Sequence, residues 1–138
     1  MSPTAHHRTL TVIGIFLIFA MSMASLAAIT LTFPGTPLDF AWKLNPHAYT
    51  DLKPLGPIIG IPFFLLALSL GISAIGWFRR RRWGWRLATI IIAIQIAGDI
   101  INTASGHLIQ GLIGATIAGA LLFCLLRPSV RSAFPSSP

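Results

Sequence analysis

Asp99 is one of only three acidic residues in the chain, and it stands inside an apolar run, "AIQIAGDIIN", with Gln95 four residues before it and Asn102 three after it. Residues three and four apart share a helix face, so these side chains form one polar stripe. A carboxylate flanked by amides can bind a proton, a cation or a polar headgroup, and an ionisable residue inside a membrane span is by default a pathway or binding site. It can equally be a hydrogen-bonded clamp between helices, where such bonds average about 0.6 kcal/mol. Either way the stripe must face protein, because exposing a charge to lipid near the middle of a span costs roughly 2.5 to 3.5 kcal/mol.

His107 follows on the same side, so Gln95, Asp99, Asn102 and His107 are the candidate polar pocket, facing outward. Helical side chains lean toward the helix N-terminus, which here points Asp99 inward, away from the outer surface. A partner is therefore expected inside the bundle, from His107, Gln110, His47, Lys43, Lys53, Ser25 or Thr30. One carboxylate without a second acid, an interior basic residue or a pair of broken helices is too little for an ion pathway. His6 and His7 fall on the opposite side from His47 and His107, which excludes a four-histidine metal site. His47, His107 and Asp99 have no metal-ligand spacing, and no metal is expected. The sequence contains no nucleophile–base motif, phosphate loop or cofactor fingerprint, so neither a catalytic residue nor a cofactor is expected, and the chain is read as a non-enzyme.

The elements that must position this stripe are membrane helices. Of 138 residues, 54% are hydrophobic and 9% charged, too apolar for an ordinary soluble core. About 20 apolar residues cross a hydrocarbon layer of about 30 Å, and four runs have that length: residues 10–31, 57–78, 85–103 and 108–126. Alternating barrel-strand patterns are absent and the links are short. The expected fold is all-α, a four-helix transmembrane bundle forming a single integral membrane domain over residues 1–138, in direct contact with the lipid bilayer.

The formal charge of +7 is distributed by topology. Arg8 precedes the first span, Arg79, Arg80, Arg81, Arg82 and Arg86 occupy a basic loop at 79–86, and Arg127 and Arg131 follow the fourth span; only Lys43 and Lys53 lie opposite, offset by Asp39 and Asp51. The positive-inside rule then places both termini and the arginine loop in the cytoplasm, and the protein in the inner (plasma) membrane as a multi-pass chain. Arg79, Arg80, Arg81, Arg82 and Arg86 are candidate contacts for anionic lipid headgroups. Nucleic acid is not an expected partner, since a loop pinned at a bilayer has no groove-reading element. Trp77, Trp83 and Trp85 at the inner boundary and Trp42 and Tyr49 in the outer loop match two aromatic belts.

Residues 33–56 form an outer cap. "TPLD" predicts a helix start, with Thr36 as N-cap, Pro37 at the first position and Asp39 in a capping-box role, leading into a short interfacial helix. Asn45 with Pro46 repeats the signal, and the turn "HAYTDLK" should end before Pro54. The first run also resembles a signal peptide with cleavage near Ala27 or Ala28; its length of about 20 apolar residues favours a retained helix. Pro62 should bend the second span. Gly111, Ala115 and Gly119 recur every four residues, a candidate helix-packing face for a neighbour in this chain or in another. Cys124 is the single cysteine and permits no disulfide framework.

Taken together, "PGTPLDFAWKLNPHAYT", "RRRRWGWRLA", "AGDIIN", "GLIGATIAGALL" and "LLRPSVRSAF" resemble a group of small uncharacterised bacterial four-span membrane proteins, over most of the chain after Phe33. The resemblance implies the four-span fold and no catalytic residue, substrate or cofactor. The architecture alone is also similar to the DoxX-type membrane proteins, linked to redox or respiratory accessory roles. The function expected is that of an accessory, assembly or structural subunit, as a homo-oligomer or bound to other membrane proteins. The alternative is binding or transport of a small molecule, proton or lipid headgroup at the Asp99 pocket.

Overall fold

A computed structural model describes residues 3–134, with side chains from His7 onward. Helix α1 covers Pro3–Thr32; a 3-10 helix, Pro37–Leu44, leads to α2, Pro46–Leu52, and a single 3-10 turn, Lys53–Leu55, leads to α3, Gly56–Phe78. Then come α4, Arg82–Ala104, α5, Leu108–Leu126, and the short α6, Pro128–Arg131. Among the described residues there is no strand. Four helical stretches are long and apolar enough to cross a membrane, so the chain is an all-α, multi-pass integral membrane protein in contact with lipid. Ala27 and Ala28 lie inside the uninterrupted α1. The chain divides into two compact units, Ile18–Gly71 and the segments on either side of it.

In the unit Ile18–Gly71, Ala24, Ala28 and Leu31 are buried on α1, and Gly60 of α3 lies against Ala28 and Thr32 so closely that a β-carbon would strike the Thr32 hydroxyl. The cap between these helices is helical throughout but tighter than expected. Thr36 occupies the N-cap position of a 3-10 helix and makes no side-chain cap bond. Asp39 instead reaches back one residue further, accepting the Gly35 N–H at 2.8 Å, while the Thr36 hydroxyl donates to it at 3.3 Å. Asn45 caps α2 as predicted, its side chain accepting the Ala48 N–H at 3.2 Å. As predicted, α2 ends before Pro54, at Leu52, but a 3-10 turn that includes Pro54 follows at once and leads directly into α3.

The other unit is held by close crossings and by indole and hydroxyl bonds between its elements. Gly76 of α3 and Gly84 of α4 meet backbone to backbone, with no room for a β-carbon on either. Beside them the Ser73 hydroxyl donates to the Gly84 carbonyl at 3.1 Å. Trp77, 2% exposed, donates its Nε1–H to the Leu10 carbonyl at 2.9 Å and packs its ring on Phe134 at 4.7 Å. The C-terminal segment is thus part of this core, with Val130 and Phe134 buried. The expected arginine loop at 79–86 contracts to Arg79–Arg81, and Arg82 and Arg86 lie on α4, which begins a turn before the apolar run. Arginine is a good helix former, and three residues close the turn.

Candidate functional site

Asp99 lies on α4 where it packs along α5, buried to 8% exposure. The buried positions of α5, Gly111, Ala118 and Leu125, are spaced by seven, with the half-buried Gly114 between the first two. That spacing is the 3.5-residue repeat of a helix packed along one seam. Gly114 sits directly under the carboxylate: a β-carbon there would lie 2.7 Å from Cγ and both oxygens of Asp99. Gly111 meets the next turn of α4, where the Thr103 hydroxyl donates to the Asp99 carbonyl at 2.8 Å. The site exists because α5 is bare where α4 carries its acid.

One carboxylate oxygen, Oδ1, accepts the Gln95 amide at 3.2 Å. The other, Oδ2, is buried with no hydrogen-bond partner among the described residues. None of the partners expected for Asp99 bonds to it among the described residues; the bond comes instead from Gln95, one turn back on the same helix, the direction in which helical side chains lean. Asn102 and His107 are exposed, and among the described residues neither side chain bonds to Asp99. His107 instead works through its backbone, accepting the Gly111 N–H at 2.9 Å to open α5. Thr30, Ser25 and Lys53 are occupied in their own unit: Thr30 donates to Leu26 and accepts from Trp42, Ser25 donates to Met21, and Lys53 lies 5.3 Å from the Tyr49 ring centre. Among the described residues no three His, Cys or Asp side chains are grouped to hold a metal ion. No protein-family model, curated protein or solved structure matches the chain.

Of the expected small-residue face, Gly111 is used within the chain, Ala115 is half-buried, and a β-carbon at Gly119 would meet nothing within 4 Å. Gly114 was missed because an every-four pattern drifts off a 3.5-residue seam. The arginines form a second feature. Arg127 and Arg131 lie over the rings of Phe123 and Trp85, at 4.9 and 5.9 Å, and Trp85 donates its Nε1–H to the Leu125 carbonyl at 2.9 Å. This ties the start of α4 to the end of α5. The only acid in that unit is Asp99, and among the described residues none of its arginines is paired with an acid.

The cap is a third polar cluster, which the sequence marked only as an interfacial helix. Tyr49 donates its hydroxyl to Asp39 at 2.9 Å and stacks on Trp42 with ring centres 5.2 Å apart, while Trp42 donates to the buried Thr30 hydroxyl at 2.8 Å. The Gly35 N–H, aided by Tyr49, Thr36 and the charge of Lys53, holds the Asp39 carboxyl below its ordinary value, against a smaller opposing effect of burial. The same bond pushes the Tyr49 phenol up.

Proposed function

We propose that this protein is a non-enzymatic component of the inner (plasma) membrane that acts as an accessory or assembly subunit through contacts made within the bilayer. The observation that carries the reading is the exposure of Gln95 and Asn102 on a membrane-length helix. Amides facing hydrocarbon leave donors and acceptors unmade, and polar groups in spans are found against protein or water. A neighbouring membrane protein or a second copy supplies that cover. The unpaired arginines Arg79, Arg80, Arg81, Arg82 and Arg86 border the bilayer on the cytoplasmic side and hold anionic lipid headgroups, each contributing about 1 kcal/mol. The test is extraction of the intact chain in mild detergent followed by native mass spectrometry. A defined oligomer or a reproducible protein partner is expected, and a bare monomer overturns the reading.

A second reading is favoured by the unpartnered Oδ2 of Asp99: a small polar ligand or proton taken up at that oxygen. Asp99→Asn separates the two. A variant that assembles normally but loses a stoichiometric bound molecule supports the second reading, and one that misassembles supports the first.

A further inference from the structure

Beyond Arg86 the exposed polar side chains of α4 and its C-cap fall on one line with Gly98. The half-buried Ile91 is followed by Gln95, Gly98, Asn102 and Ser105, all exposed, at spacings of four, three, four and three. This is a 3.5-residue repeat on a face of α4 distinct from the one that meets α5. A β-carbon on Gly98 would meet nothing within 4 Å, so the centre of the stripe is open for another backbone to approach. Ile94 and Ile101, each 66% exposed, flank it with apolar surface. Gln95 lies thirteen residues, or about 20 Å, from Arg82 and nine residues, or about 14 Å, from Ala104, well inside the span.

The chemistry of the stripe selects its occupant. A primary amide offers two N–H donors and a carbonyl acceptor. Gln95 spends one N–H on Asp99 Oδ1, leaving a donor and the carbonyl, and Asn102 has no side-chain bond among the described residues. Each amide is therefore complementary to a copy of itself. Copies inserted with the same orientation and related by a two-fold axis along the membrane normal bring α4 against α4 in parallel and in register, so Gln95 meets Gln95, Gly98 meets Gly98 and Asn102 meets Asn102. The charge is kept off this surface, since Asp99 is turned onto Gly114 and buried. We infer that the partner is a second copy of the chain, paired through α4 at Gln95, Gly98 and Asn102. This rests on the accessory reading and names its partner.

The test uses the full chain in native membranes with Cys124 replaced by serine. Gly98→Cys should yield a disulfide-linked dimer on mild oxidation, whereas Gly119→Cys, where a β-carbon also meets nothing within 4 Å but on α5, should not. Gly98→Ile adds a side chain into space that this chain leaves empty, and should weaken dimerisation in detergent by about tenfold or more without loss of the fold. Asn102→Leu should act in the same direction. Retention of wild-type dimerisation by Gly98→Ile, linkage from Gly119→Cys in place of Gly98→Cys, or a monomer at all concentrations overturns the pairing. If the monomer co-purifies with a different membrane protein, only the pairing falls; if it is bare, the accessory reading falls with it.

Discussion

At Asp99 the burden of burying a carboxylate in a membrane helix falls on Gln95, which supplies one donor, and on Gly114, whose missing side chain supplies the space. Gly114→Ala should therefore cost about 1 to 3 kcal/mol, the usual range for overpacking, read as a lowered unfolding midpoint in detergent. Gly98→Ala, on the side of the same helix that the chain itself leaves open, should be neutral or slightly stabilising for the dissociated monomer. The polar stripe was legible because helix periodicity aligns residues three and four apart. Gly114 was not, because nothing in the sequence gives the rotation of α5 about its axis. Asp39 allows a second prediction, in pH. Its carboxyl is held below the ordinary 3.8, so its contribution to the cap is present above 3.8 and lost as pH falls through the lower folded value. Tyr49 is raised above 10.0 by the same bond, so its contribution is present below 10.0 and lost as pH rises through the raised value. The nuclear magnetic resonance signal of the Trp42 indole, stacked on Tyr49, should be constant between these limits. Tyr49→Phe should abolish the alkaline transition and move the acid one toward 3.8; an unchanged titration would show that the bond does not hold the cap.

Both short turns of the second unit close with the same hydrogen-bond pattern and different residues. After α3, the Arg81 N–H donates to Gly76 and the Arg80 N–H to Trp77; after α4, the His107 N–H donates to Asn102 and the Gly106 N–H to Thr103. These are Schellman closures, which need a left-handed residue, here Arg80 at φ 54° and Gly106 at φ 100°. Glycine adopts that backbone without strain and arginine does not. Arg80→Gly should stabilise the turn by about 1 kcal/mol, and Gly106→Ala should destabilise its own by a similar amount. Thermal midpoints moving in the same direction would contradict this. The spans were legible because hydrophobic length is a property of composition along the chain. The start of α4 was not, since Arg82 and Gly84 interrupt the apolar run while the backbone is already helical. Nor was the 3-10 course of the cap, because an N-cap followed by proline precedes either kind of helix.

At the scale of the whole molecule, charge is divided as sharply as the fold. All eight arginines belong to the unit formed by the segments around Ile18–Gly71, whereas Lys43 and Lys53 lie within Ile18–Gly71 together with Asp39 and Asp51. Arg8 stands in the early turns of α1, five more arginines stand at the end of α3 and the start of α4, and Arg127 and Arg131 follow α5. With four spans these three groups share one side of the bilayer, and the orientation we propose from the rule that counts basic residues in short flanks puts that side in the cytoplasm. The proposed orientation should survive neutralisation of Arg79 and Arg81, which still leaves six arginines against two lysines. Fluorescent-protein fusions after Arg81 and after Phe134 should be bright, and alkaline phosphatase fusions after Leu44 and Ser105 should be active, in the parent and in the Arg79→Asn, Arg81→Asn variant alike. Active phosphatase at Arg81 would invert the topology, place the Asp39 cap in the cytoplasm and remove the arginines from the anionic inner leaflet on which their proposed headgroup contacts depend.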